Sequence, residues 1–162
     1  MDPMTDRVEA IVGQWRRERP DLDPSPMAVI GRMRRISDDF TEALVRNYRR
    51  FGIGEGEFDV LCALRRAGEP FVLSQGDIAD HTMVTAGATS KRVDRLEAAG
   101  LVRRHPRADD GRGRSVELSH EGRALIDDAY PTHLALEEQL LSPLSRDERA
   151  QLEALLRKLV RE

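Results

Sequence analysis

Cysteine is almost absent: Cys62 alone occurs in 162 residues, so the chain cannot close an internal disulfide. The four histidines, His81, His105, His120 and His133, are scattered and lack the paired spacing of a metal site. No metal or cofactor is expected. Aromatic residues supply only 4 % of the chain, while Leu, Ala, Arg and Glu dominate, which favours helices packed through aliphatic stripes over a sandwich or barrel. No run of about 18 apolar residues occurs, which argues against a transmembrane helix and a membrane partner. The first residues lack a basic segment followed by an apolar one, so a cytoplasmic location is expected. There is no Gly-rich phosphate loop, no nucleophile motif and no Cys/His cluster, and the carboxylates sit mostly on solvated helix faces, so an enzyme is not expected.

What is present is 40 % apolar and 34 % charged, enough for one core and short for two independent domains. The charge is unevenly placed. Residues 85–115 hold eight Lys/Arg (Lys91, Arg92, Arg95, Arg103, Arg104, Arg107, Arg112, Arg114) against four acids (Asp94, Glu97, Asp109, Asp110), a balance of +4 in a chain of net charge −3. A mildly acidic protein thus concentrates positive charge in one stretch, where a phosphate backbone would be met.

In chain order, residues 5–18 place Val8, Ile11, Val12 and Trp15 at helical spacing, and Pro20 ends the pattern. The proline-rich Pro20–Pro26 connector follows. A long helix is predicted from about Met27 to Arg49, with Ile30, Met33, Ile36, Phe40, Ala43, Leu44 and Tyr48 on a broad apolar stripe. A helix over Glu57–Arg66 and a short one capped by Ser74 and running through Asp80 come next. Thr85 caps a helix from Ala86 that Gly100 stops. After the basic stretch, Ser119 caps a helix from His120 to about Leu141 that Pro131 should kink or interrupt. Ser145-Arg146-Asp147-Glu148 is a capping box for a last helix with Leu152, Leu155, Leu156, Leu159 and Val160 at spacings of 3 and 4.

The helix after Thr85 reads as a DNA-recognition helix. Thr89, Val93 and Leu96 line one face, while Gly87, Ser90, Lys91, Asp94 and Arg95 lie on or near the other, small near the N-terminus and basic beyond it. The strand-like Leu101–His105 and Arg114–Leu118 flank the turn-rich 106–113, so a basic loop projects beside the helix. The short helix before it, the Thr82–Val84 turn and this helix have helix-turn-helix spacing.

Met83–Val102, followed by Asp110-x-Arg112 and Leu118-Ser119-x-Glu121-Gly122, resembles the winged helix of the MarR family of bacterial transcription regulators, and the likeness extends over about residues 27–161. The resemblance implies a mainly α fold with a small β-hairpin wing, a winged helix-turn-helix in a MarR-like dimer, here with an added N-terminal helix. It divides the chain into an accessory helix and connector (1–26), a helical dimerisation region (27–54 and 120–162) and a DNA-binding region (55–119). It implies a homodimer on double-stranded DNA, with Arg112 of the wing entering the minor groove and Asp110 holding it. Arg114 departs from the apolar residue usual there. The candidate DNA-contacting set is Ser74, Thr85, Gly87, Thr89, Ser90, Lys91, Arg95, Asp110, Arg112 and Arg114.

Gln14-Trp15, Glu18–Asp23, Met27–Arg32 and Glu57–Leu61 further resemble the urate-responsive, PecS-like subgroup of that family. Trp15, Asp59, Arg92 and Arg104 fall at the positions that this subgroup uses for its ligand. The resemblance therefore implies a repressor released from a pseudo-palindromic operator by urate or a related aromatic anion. A flat monoanion with ring N–H groups suits an Arg, a carboxylate and an indole. Two alternatives stand beside it: another phenolic ligand with Asp59–Arg92 as a structural ion pair, and thiol oxidation at Cys62.

Overall fold

The computed structural model describes residues 6–82, 86–106 and 114–160. The chain divides into two compact units, Met1–Ala43 and Leu44–Glu162.

In the first unit, α1 (Arg7–Glu18) starts where the Asp6 carboxylate accepts the Val8 N–H at 3.0 Å. It lies along the first part of α2 (Ser25–Arg49), burying Val8 and Val12. Gly31 permits the approach, because a methyl there would stand 3.1 Å from Val8 Cγ1. Arg32 pairs with Asp6 and Glu9 across the two helices. Ile11 and Trp15, expected on the same buried face, are instead 43 % and 47 % exposed, and Ile30, Met33 and Ile36 of the α2 stripe are exposed as well.

The second unit holds the main core. The end of α2 contributes Tyr48, whose ring stacks on Phe58 at 4.3 Å between centroids. Around it pack α3 (Glu55–Arg66), α4 (Gln75–Thr82), α5 (Ala86–Ala98) and α6 (His120–Leu140), with Leu61, Leu64, Ile78, Val93, Leu96 and Ile126 fully buried between them. A three-stranded antiparallel sheet in the order β1-β3-β2 closes one side. Its hairpin is β2 (Val102–Pro106) with β3 (Arg114–Leu118), and β1 (Val72–Ser74) adds to the other edge of β3 in the register Val72↔Glu117. The hairpin was expected from sequence; the third strand was not. Phe71 holds β1 in place: its carbonyl accepts the Leu118 N–H at 3.0 Å, and Arg65 and Arg123 stand 5.2 and 4.8 Å from its ring centre.

Two junctions fix the ends of the helices around the wing. Gly100, at φ +74°, lets the Leu101 N–H turn back to Leu96 O at 2.9 Å and so stops α5. Ser119 then joins that stop to the start of α6. Its N–H donates to Leu101 O at 3.1 Å, its hydroxyl donates to Gly100 O at 2.8 Å, and it accepts the Gly122 N–H at 2.9 Å as the α6 cap. A methyl at Gly122 would meet Leu101 O at 2.0 Å, so only glycine fits.

The expected interruption at Pro131 does not occur, since α6 is continuous from His120 to Leu140. Ile126 and Ala129, buried in the core just before it, hold the helix in place, and Thr132 Oγ1 just after it donates to Ala129 O at 2.8 Å. The last helix, α7 (Arg146–Arg157), begins at Ser145 with the anticipated capping box and buries none of its residues. Leu152, Leu155, Leu156, Leu159 and Val160 are all exposed. No helix among the described residues is long and apolar enough to cross a membrane.

Candidate functional site

The site is built on α5. Its inward face, Thr89, Val93 and Leu96, is 0 to 1 % exposed, which seats the helix on the core and turns Gly87, Lys91, Asp94 and Arg95 outward. A methyl added at Gly87 would touch none of the described residues within 4 Å, so the glycine there leaves a shallow spot on an otherwise open face. Thr89 needs a correction: placed among the DNA-contacting candidates from sequence, it is fully buried beneath the helix and packs rather than reads.

Both flanks of α5 are braced by arginine–carboxylate contacts, with opposite polarity. On one flank the arginines belong to α5 and the acids to α3: Arg95 engages Glu57, and Arg92 Nη1 stands 3.8 Å from Asp59 Oδ2. On the other flank the acids belong to α5 and the arginine to β2. Arg104 reaches Asp94 Oδ1 at 2.6 Å, Glu97 Oε2 at 2.8 Å and Ser90 O at 3.2 Å, while its own backbone N–H donates to Glu97 Oε1 at 3.2 Å. Ser90, Asp94 and Glu97 recur at helical spacing, so one guanidinium spans two turns. Lys91, Arg103 and Arg114 are exposed and enter no ion pair with a described residue. The positive charge open to a phosphate backbone is therefore smaller than the sequence count of the stretch.

Ser74, at the entry to α4, spends its hydroxyl on the local cap: it accepts the Asp77 N–H at 3.0 Å and donates to Asp77 Oδ2 at 2.7 Å. Thr85, Asp110 and Arg112 lie outside the described residues.

Of the residues assigned to a ligand, Asp59 and Arg92 come together. The guanidinium lies over Gly56, where a methyl would stand 2.2 Å from Arg92 Nε, so the absence of a side chain makes the niche. Arg92 Nη1 is buried and has no hydrogen-bond partner among the described residues. Burial lifts the Asp59 carboxyl above its ordinary range by more than the Arg92 charge lowers it. Arg104, from β2, meets α5 on the opposite flank from Arg92 and is occupied by Asp94 and Glu97. Trp15 belongs to the first unit, on the rim of a cleft of about 290 Å³ formed with Arg19, Leu22, Pro24, Pro26 and Met27. Cys62 lines a separate cleft of about 480 Å³ between α3 and α6, and burial pushes its thiol up to about 12. So little thiolate exists near neutrality that the sulfur is a poor nucleophile.

Sequence reasoning missed Glu57 and the Arg104 brace. A Glu at the third position of a helix beginning after Gly54 is a capping signal that could have drawn attention to Glu57. Nothing local in sequence joins Arg104 to Asp94 and Glu97, because the hairpin must fold back before they meet.

Comparison with known proteins places this geometry among others. The sequence model of the MarR family matches residues 51–113. The chain is 42 % identical over 149 residues to the HTH-type transcriptional regulator PecS of Dickeya dadantii, covering 92 % of this chain and 90 % of that one. Among solved structures, it is similar to a cysteine-to-serine mutant of MarR from E. coli complexed with operator DNA, with a TM-score of 0.76 and 26 % identity over 85 % of this chain and 97 % of that one. It is also similar to Bordetella bronchiseptica BpsR, whose DNA binding is regulated by 6-hydroxynicotinic acid, with a TM-score of 0.72 and 26 % identity over 82 % and 98 % of the two chains.

Proposed function

The chain belongs to the MarR family of DNA-binding transcriptional regulators, and from that premise we propose that it is a homodimeric repressor released from a pseudo-palindromic operator by a small, flat aromatic anion such as urate. It works in the cytoplasm, needs no cofactor and catalyses no reaction. Gly87, Ser90, Lys91 and Arg95 meet base edges and phosphates in the major groove. Arg114, Asp110 and Arg112 serve the wing, and Ser74 and Thr85 approach the backbone at the ends of the helix-turn-helix. A two-fold pair of such helices suits half-sites about one helical turn apart.

The observation that carries the ligand reading is the Asp59–Arg92 contact: a buried N–H without an acceptor beside a carboxyl that burial inclines towards its protonated form. A planar anion supplies what each lacks, an acceptor for Arg92 and a ring N–H for Asp59. Urate and 6-hydroxynicotinate share that chemistry. Because Arg92 is a residue of α5, a ligand that draws on it and binds the DNA-free state better lowers DNA affinity by linkage. Arg104 acts in the same response by holding the other flank of α5, and Trp15 is the reporter in the accessory helix. The raised Cys62 thiol argues against oxidation as the trigger.

The test titrates urate, and separately 6-hydroxynicotinate, against Trp15 fluorescence and against a complex with a duplex from the promoter beside its own coding region. Quenching together with release of DNA is expected. The absence of both up to millimolar urate removes urate as the effector and leaves the DNA-binding assignment in place.

A further inference from the structure

Glu57 does two things at once. Its Oε2 accepts the Gly54 N–H at 3.0 Å, which anchors the carboxylate in the first turn of α3. Its Oε1 accepts the Nε–H of Arg95 and forms an ion pair with Nη2 of the same guanidinium. The Glu57 side chain is only 12 % exposed, whereas that of Arg95 is 61 % exposed, so the guanidinium is held along one edge and open along the other. The geometry points to Glu57 as a positioning residue for DNA readout: it fixes the guanidinium of Arg95 so that its remaining edge addresses a base. This rests on the regulator reading above.

The chemistry of the guanidinium supports that assignment. Glu57 sits against the edge formed by Nε and Nη2 and accepts the Nε–H, which leaves open the edge formed by Nη1 and Nη2. That edge offers the parallel pair of N–H groups that fits guanine O6 and N7, or two phosphate oxygens. A free arginine loses much rotamer freedom on docking, and one already held loses less. Arg92, one turn earlier, also faces a carboxylate of α3, but its side chain is 22 % exposed and stays beneath the surface. The two arginines on this flank thus divide: Arg92 stays inside and Arg95 is presented outward.

The experiment is in vitro selection from a random duplex library with the full-length protein, Arg95→Ala, Glu57→Gln and the double variant, each first checked for a cooperative melt. Arg95→Ala is expected to lose about 10- to 100-fold discrimination at particular base pairs. Glu57→Gln should relax those same positions by about 3- to 10-fold, and the double variant should be no worse than Arg95→Ala. Glu57→Gln with unchanged discrimination, or losses that simply add, overturns the role of Glu57 alone. Failure of the unaltered protein to enrich any sequence overturns the regulator reading and the inference with it. A second measurement needs no folded variant at Glu57. In the unaltered protein the Arg95 Nε–H resonance, identified by its loss in Arg95→Ala, should exchange with water at least about tenfold more slowly than that of free arginine. Exchange at the free rate overturns the inference.

Discussion

Asp59 Oδ2 lies 3.8 Å from Arg92 Nη1, a charged contact too long for a hydrogen bond, and Arg92 Nη1 finds no other acceptor among the described residues. Burial dominates the carboxyl, raising its pKa above the ordinary 3.8 despite the nearby guanidinium. The folded chain therefore keeps this proton to higher pH than the unfolded chain does. Below the unfolded value the ionisation cost is absent, and it sets in as pH rises through the folded value. Asp59→Asn removes that titration and resembles the protonated carboxyl at every pH. Its melting temperature relative to that of the unaltered protein should consequently rise between about pH 4 and about pH 7. A gap that stays constant across that range would contradict a raised Asp59.

Two glycines should respond in opposite ways to the same methyl. At Gly56 the methyl meets Arg92 at 2.2 Å and forces it out of its niche, so Gly56→Ala should lower stability by about 1–2 kcal/mol in urea unfolding. At Gly87 it meets nothing, so Gly87→Ala should raise stability by about 0.5–1 kcal/mol through helix propensity. The same change should weaken operator binding, because the methyl occupies the face proposed to enter the groove. A Gly87→Ala protein that is both more stable and equally tight would show that this turn stands clear of the DNA.

Removing Arg104 leaves Asp94 and Glu97 on α5 without their shared cation. Because both acids are substantially exposed, the expected loss for Arg104→Met is moderate, about 1–2 kcal/mol. A double-mutant cycle with Asp94→Ala should give a coupling of at least about 0.5 kcal/mol. Zero coupling would reduce the Asp94 arm to a surface contact.

Lys91 is exposed on the reading face and unpaired among the described residues. Lys91→Ala should flatten the plot of log affinity against log salt by about one unit for any duplex. Arg112→Ala should do likewise if the wing arginine enters a groove. An unchanged slope for either one removes that residue from the contact set.

The bare leucines of α7 make a separate case. Leu155 and Leu159 are 58 % and 60 % exposed on a helix that buries nothing within its own chain. Leu155→Glu should shift the sedimenting species from dimer to monomer and, with it, abolish tight binding to a two-half-site duplex. Sedimentation unaffected by this change would place the subunit contact elsewhere.

Elements with strong local signals were legible in the sequence. Gly100 and Ser119 bound the wing where expected, Ser145 opens α7, and the β2–β3 hairpin follows its alternating residues. β1 was not legible, because three residues show no alternation and Val72 finds Glu117 only when distant chain segments meet. The packed side of α5 was correctly read from its period, yet Thr89, being polar, was also assigned to the DNA despite sharing that side with Val93 and Leu96. Periodicity was the better guide than residue type. At the candidate site the sequence supplied the arginines and a possible Asp59–Arg92 pair, but not the partners of Arg95 and Arg104. Asp94 and Glu97 entered the sequence reading as helix-face or bulk charge and Glu57 as the start of a helix and of the subgroup resemblance, and their pairing depends on helix–helix and helix–strand geometry that no linear pattern encodes.

The stapling of Gly100–Leu101 to Ser119 and Gly122 gives α5 a fulcrum at its C-terminal end. A helix of this length spans about 20 Å, so a swing of about 5° about that point carries its first turn through about 2 Å. Gly87, in the first turn, rides at the long end of that lever, while Arg92, near its middle, faces the Asp59 carboxylate of α3. A displacement at Arg92 is thereby enlarged in the first turn, which is the movement that the proposed ligand response would use without unpacking the core.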